Sequence, residues 1–147
     1  MNQNFNSDDH IFFGQHVLGE FYGVSEEKLN DLLLLEKSIR KGIIASGASL
    51  CSLQKKQFEP AGVTLLALLS ESHASIHTYP EKKALFFDAF TCGHTCQPKR
   101  IAEQLITDLQ PSHHNLQVLE RGEDTNPLPR IVPHTSSKKT KKVSSYL

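Results

Sequence analysis

The sequence predicts an α+β protein, a two-layer α/β sandwich in which an antiparallel sheet carries helices on one face. Two observations predict it. Two segments carry a single apolar stripe at helical spacing, and each is set between short apolar runs. Those runs are joined by turns too short for a crossover, so neighbouring strands should run antiparallel. The order strand, helix, strands, helix, strand then places both helices against one sheet.

Taken in order, residues 1–10 form a polar leader of Asn, Gln, Ser and Asp. Gly14 to Tyr22 carries Val17, Leu18, Phe21 and Tyr22, which suits a strand ended by Gly23. Ser25 followed by Glu26 and Glu27 marks a helix start, a hydroxyl cap with carboxylates at the positive end. Leu29, Leu32, Leu33, Leu35, Ile39, Ile43 and Ile44 continue as one helix, with Gly47 as its stop. Ser49 to Phe58 is a strand candidate, Pro60-Ala61-Gly62 a turn, and Val63 to Leu69 an unbroken apolar run of the length of a buried strand. Ala74 to Thr78 alternates, with Ser75 and His77 on one face and Ala74, Ile76 and Thr78 on the other. Ala84 to Phe90 is a further strand, and Pro98 opens a second helix through Leu109. Leu116, Val118 and Leu119 mark the last strand. The domain is expected to span residues 11–123, and the Pro-, Ser-, Thr- and Lys-rich stretch 124–147 reads as a disordered basic tail.

At 147 residues there is room for one core. The 16 basic and 16 acidic residues cancel, so no global field points to nucleic acid or to a membrane surface. No apolar run approaches the roughly 20 residues of a membrane span, and Met1 to His10 lacks the basic-then-apolar order of a signal peptide. A cytoplasmic location is expected. Three cysteines are too few for a disulfide framework. Cys92-Gly93-His94-Thr95-Cys96 holds zinc-type ligands, but no second paired cluster accompanies it. No metal is expected, and the two thiols read as reduced cysteines beside a turn.

The chemistry concentrates in Ser70-Glu71-Ser72-His73-Ala74-Ser75-Ile76-His77-Thr78-Tyr79-Pro80-Glu81 and in Phe90-Thr91-Cys92-Gly93. A serine hydroxyl can attack the carbonyl before it and turn an amide into an ester. The ester breaks by β-elimination to dehydroalanine, whose hydrolysis leaves a ketone. Such a sequence needs a strained or polarised preceding carbonyl, a base for the serine Cα proton and a stabilised oxyanion.

This block, with Gly14-Gln15-His16, Glu20-Phe21-Tyr22-Gly23 and Gly62-Val63-Thr64, resembles the prokaryotic S-adenosylmethionine decarboxylase proenzymes over about residues 14–122. The resemblance implies a two-layer sandwich that forms a homodimer. It also implies self-cleavage between Glu71 and Ser72, with Ser72 becoming a covalent pyruvoyl cofactor that forms a Schiff base with the substrate. By the same resemblance, His77 is the processing base, Thr64 assists through its hydroxyl, and Cys92 is the catalytic proton donor. Phe58 stacks on the adenine of S-adenosylmethionine, and Glu81 binds its ribose hydroxyls. The product would be the aminopropyl donor of spermidine synthesis.

Departures from the family pattern fall near the substrate residues. Ala61 stands where a larger residue is usual, Lys56 and Gln57 precede Phe58 where a histidine is frequent, and Lys82-Lys83 follows Glu81. They motivate two alternatives: a pyruvoyl decarboxylase of another amino acid, such as ornithine or arginine, and a non-processing regulatory homologue.

Overall fold

A computed structural model describes residues 12–122 and the backbone of 130–132. Strand β1 (Phe13–Tyr22) leads into helices α1 (Glu26–Asn30) and α2 (Leu32–Ser46). Then come β2 (Leu50–Gln57), β3 (Val63–Leu69), β4 (Ser72–Tyr79), a 3-10 turn (Pro80–Lys82) and β5 (Ala84–Cys92). Helix α3 (Lys99–Leu109), β6 (His113–Gly122) and β7 (Arg130–Val132) complete the described chain. The strands form one antiparallel sheet in the order β2-β3-β4-β5-β1-β6-β7. The expected α+β sandwich is therefore what forms.

Alternation along the strands divides the sheet into two unlike faces. Val17, Phe21, Leu65, Ile76, Leu85 and Phe87 point to one side, where Leu35, Ile39 and Ile43 of α2 and Ile101 and Leu105 of α3 cover them. The helices approach closely at Gly42, where an added Cβ would lie 2.9 Å from the Ile101 Cα. On the other side no described element covers the sheet. Leu66 and Leu68 are 51% and 57% exposed there, and Phe86 is 45% exposed.

Three expectations need correction. The single helix from Ser25 to Gly47 is two helices, broken at Asp31. The backbone of Asp31 is extended, and its carboxylate caps α2 by accepting from Leu34 N–H at 2.9 Å. The break frees the carbonyls of Leu29 and Asn30 to accept from Thr78 Oγ1 at 2.9 Å and Gln57 Nε2 at 3.0 Å, which ties α1 to the sheet. Secondly, Val63–Leu69 is buried on one face only, because its apolar run lines the core with one set of side chains and the open face with the other. Thirdly, within the stretch expected to be a tail, Arg130–Val132 pairs with Val118–Glu120. The leader 1–10 and the rest of the tail lie outside the described residues.

Candidate active site

The turn between β3 and β4 consists of Ser70 and Glu71 alone, since Leu69 pairs directly with Ser72. Two-residue hairpin loops favour positive φ at their central positions, usually on Gly or Asn. Neither central residue here adopts it; the positive φ, +154°, falls on Ser72 instead. That region is close to glycine-only and costs on the order of 1–3 kcal/mol. The strain thus lies at Ser72, next to the Glu71–Ser72 peptide that the family resemblance implies is cut.

The turn is held on three sides. Ser70 N–H donates to the Ser49 carbonyl at 2.9 Å, and Ser49 N–H donates to Glu71 Oε2 at 3.0 Å. The Glu71 carbonyl accepts from Cys92 N–H at 3.1 Å. A backbone donor therefore polarises the carbonyl that the Ser72 hydroxyl would attack, at the place where an oxyanion would develop. Thr91 lies directly across from Ser72 in the ladder; it is 1% exposed, and its Oγ1 has no hydrogen-bond partner among the described residues. An orphaned buried hydroxyl beside residue 72 suits a carbonyl-rich group there, so these residues fit a pyruvoyl group. The Cys92 side chain lines a cavity of about 300 Å³ together with Phe13, Phe90 and Arg121.

Sheet register brings Asp88, which the sequence did not single out, among residues of the quoted motifs. His73, Phe90 and His16 form one row across β4, β5 and β1, while Ser75, Asp88 and Leu18 form the next row on the open face. From there Asp88 reaches diagonally to both histidines. Its Oδ2 lies 2.9 Å from His16 Nε2 and 3.0 Å from His73 Nε2, and its Oδ1 accepts from Ser75 Oγ. Burial alone would raise the Asp88 carboxyl, but the bonds from Ser75, His16 and His73 hold it below the usual aspartate range. The other ring nitrogen of His73, Nδ1, lies 3.1 Å from Ser72 Oγ. No sequence pattern links these groups, since His16 and Asp88 are 72 residues apart.

The remaining predicted residues form a second group. Thr64 pairs with His77, and the Thr64 hydroxyl lies 2.5 Å from His77 Nδ1. Phe58, 41% exposed, and Tyr79 flank the His77 ring at centroid distances of 6.1 Å and 4.6 Å. Glu81 is exposed on the 3-10 turn just beyond β4. Ser72 opens β4, and His77 stands five residues further along the same extended strand. At the rise of an antiparallel strand that is about 17 Å. Within one chain, then, Glu71, Ser72 and Cys92 gather at one end of β4, while Thr64, His77, Phe58 and Glu81 gather toward the other. No metal-type cluster among the described residues includes Cys92, His94 or Cys96; the His94 ring stacks on Phe13 at 4.8 Å.

Fold and site define an α+β sandwich whose chemistry is organised around a strained, serine-bearing hairpin turn. Comparison with known proteins narrows this class. Residues 15–122 match the family described as S-adenosylmethionine decarboxylase. A proenzyme of that name from Brevibacillus brevis is 44% identical over 110 residues, covering 75% of this chain and 83% of the relative. One from Bacillus cereus is 40% identical over 110 residues, covering 75% and 89%. The crystal structure of the adenosylmethionine decarboxylase from Aquifex aeolicus superposes with a TM-score of 0.70 at 31% identity, covering 86% of this chain and 98% of that one. The chain belongs to the S-adenosylmethionine decarboxylase family.

Proposed function

We propose that this chain is a self-processing, pyruvoyl-dependent S-adenosylmethionine decarboxylase that works as a homodimer. The observation that carries this reading is the +154° φ of Ser72 beside a Glu71 carbonyl that accepts from Cys92 N–H. A strained peptide with a polarised carbonyl and an adjacent hydroxyl is what the backbone rearrangement requires. Family membership supports S-adenosylmethionine as substrate over ornithine or arginine, because the relatives named above are S-adenosylmethionine decarboxylases.

In this reading the Ser72 hydroxyl attacks the Glu71 carbonyl carbon, and the Cys92 N–H steadies the oxyanion. Collapse leaves an ester, and removal of the residue-72 Cα proton expels the Glu71 carboxylate. The chain is then cut into residues 1–71 and 72–147, and the dehydroalanine left at residue 72 takes up water and releases ammonia to become the pyruvoyl ketone. The pyruvoyl group formed at residue 72 supplies an electrophilic carbonyl for the substrate amine and takes up the electrons released with carbon dioxide. Cys92 returns a proton to the substrate Cα, Phe58 stacks on the adenine, and Glu81 accepts from the ribose hydroxyls.

The two separated groups of residues support a shared site. At about 17 Å along the strand, His77 does not reach Ser72 of its own chain. An isologous pair of open faces lays one end of each protomer over the opposite end of its partner. His77, Thr64, Phe58 and Glu81 of a second copy then meet Ser72 and Cys92. The exposed Leu66, Leu68 and Phe86 give that face the apolar character of an interface. We infer the same soluble setting for the enzyme as for its small polar substrate, the cytoplasm.

Intact-mass measurement of the denatured protein, paired with release of carbon dioxide from S-adenosylmethionine, tests the proposal. Two chains meeting at Glu71/Ser72, the second lighter than a serine-started peptide by the exchange of amine for ketone, are expected. Ser72→Ala should give one uncut chain of 16.5 kDa and no turnover. An uncut wild type, or turnover surviving in Ser72→Ala, refutes it.

A further inference from the structure

We propose that His73, oriented by Asp88, is the general base that takes the proton from the Ser72 hydroxyl in the acyl shift that opens self-cleavage. The inference rests on the self-processing reading and assigns a step which that reading left without a base. His77 of the same chain is about 17 Å away along β4, and in the proposed dimer the His77 of the second copy is left for the residue-72 Cα proton, whereas His73 Nδ1 is already 3.1 Å from Ser72 Oγ.

The hydrogen-bond chain decides which ring nitrogen carries the proton. An ionised aspartate only accepts, so the ring nitrogens facing Asp88 Oδ2 at 2.9 Å and 3.0 Å are N–H donors. For His16 this is enforced from the far side, where Arg121 Nη1 lies 3.3 Å from Nδ1 and an arginine can only donate. Neutral His73, with its hydrogen on Nε2, then presents the Nδ1 lone pair to the Ser72 hydroxyl. The arrangement is serine, histidine and aspartate in sequence, aimed at a carbonyl within the chain itself. Asp88 acts through His73 and is a positioning residue; His16 and Ser75 donate to the same carboxylate.

The same His16, His73 and Asp88 atoms lie within 4.8 Å of one another, near enough to suggest a divalent cation. A metal would need the Nε2 lone pair of His16, which would turn an Nδ1 hydrogen toward the Arg121 donor. The proton-transfer role fits the donors present, and the metal role does not.

The step balances without a further reactant. The Ser72 Oγ–H bond breaks as Oγ bonds to the Glu71 carbonyl carbon, and the proton passes to His73 Nδ1. The Glu71 C–N bond then breaks, and the same proton is returned to the departing residue-72 nitrogen. Ester and amine result, and His73 is again neutral.

The test follows the full-length chain made by cell-free synthesis, with cleavage timed by intact mass. His73→Ala should slow cleavage by about 100-fold or more, the range of general-base catalysis. Asp88→Asn, nearly isosteric, should slow it similarly because the carboxamide no longer dictates the His73 tautomer. The double variant should cut no more slowly than His73→Ala alone, which a merely structural role for Asp88 would not produce. Hydroxylamine separates the steps. It should split a His77→Ala precursor, where ester accumulates, and leave His73→Ala intact, where only amide is present. Asp88→Asn carries the test if His73→Ala loses its folded circular dichroism spectrum. Cleavage of both single variants within threefold of wild type overturns the inference alone. So does splitting of His73→Ala by hydroxylamine as readily as His77→Ala. An uncut wild type removes the self-processing reading and this inference with it.

Discussion

Ser72 and Asp88 show how single residues acquire chemistry from their neighbours. The positive φ of Ser72 follows from a turn of two residues that both decline the conformation such turns prefer. Asp88 owes its depressed pKa to three donors that outweigh its burial, and that has a consequence for stability. Because the folded pKa lies below the unfolded one, the unfolded chain binds more protons in acid. The contribution of Asp88 is therefore fully present above the ordinary aspartate range and is lost as the pH falls through its lower folded value. In a Ser72→Ala background, which keeps both chains uncut, Asp88→Asn should lower the unfolding midpoint at neutral pH. The difference should shrink as the pH falls below about 4. Chemical denaturation across pH checks this, and a difference independent of pH would count against an ionised Asp88. Glu71, Ser72 and His77 stand out as candidates because they share one short motif, with Cys92 in a second motif one strand later. Asp88 does not. An aspartate in Ala84–Cys92 looks like the polar side of an alternating strand, and only register brings His16 and His73 to it.

At the scale of elements, the sequence revealed periodicity well and interruptions poorly. Strand β3 has the bounds the apolar run suggested, and α2 ends on Gly47 with a left-handed φ of +83°. The apolar stripe from Leu29 to Ile44 continues across Asp31, so nothing in the pattern announces a break there. What breaks the helix is tertiary: the carbonyls that one continuous helix would consume are taken by Thr78 and Gln57. Asp31 completes the exchange by capping α2. Asp31→Ala should cost about 1 kcal/mol, the usual worth of such a cap. Asp31→Asn and Asp31→Ser, which keep a side-chain acceptor, should recover most of it in urea unfolding. Equal losses in all three variants would show that the break is held by the β-sheet contacts alone.

For the whole molecule, the open face of the sheet links fold to function. Its apolar side chains belong to the unbroken run that the sequence offered as a buried strand, and the proposed dimer would cover the half of that run left exposed in one protomer. In the proposed dimer, pairing through that face would bring together residues of one motif that lie at opposite ends of β4. A shared site predicts complementation that an intrachain site forbids. Ser72→Ala keeps its own His77, and His77→Ala keeps its own Ser72; neither homodimer has a complete site. A mixed dimer has one, made from the Ser72 of one chain and the His77 of the other. Co-expressed with distinct tags, the two variants should yield cleavage of the His77→Ala chain alone, in about half of the dimers if the pair assembles at random. Each variant expressed by itself should stay uncut. Intact mass of the separated tagged chains reads the result directly. Cleavage of His77→Ala on its own would remove His77 from processing. Two uncut chains in purified mixed dimers would return the site to a single protomer and leave the distance along β4 unexplained.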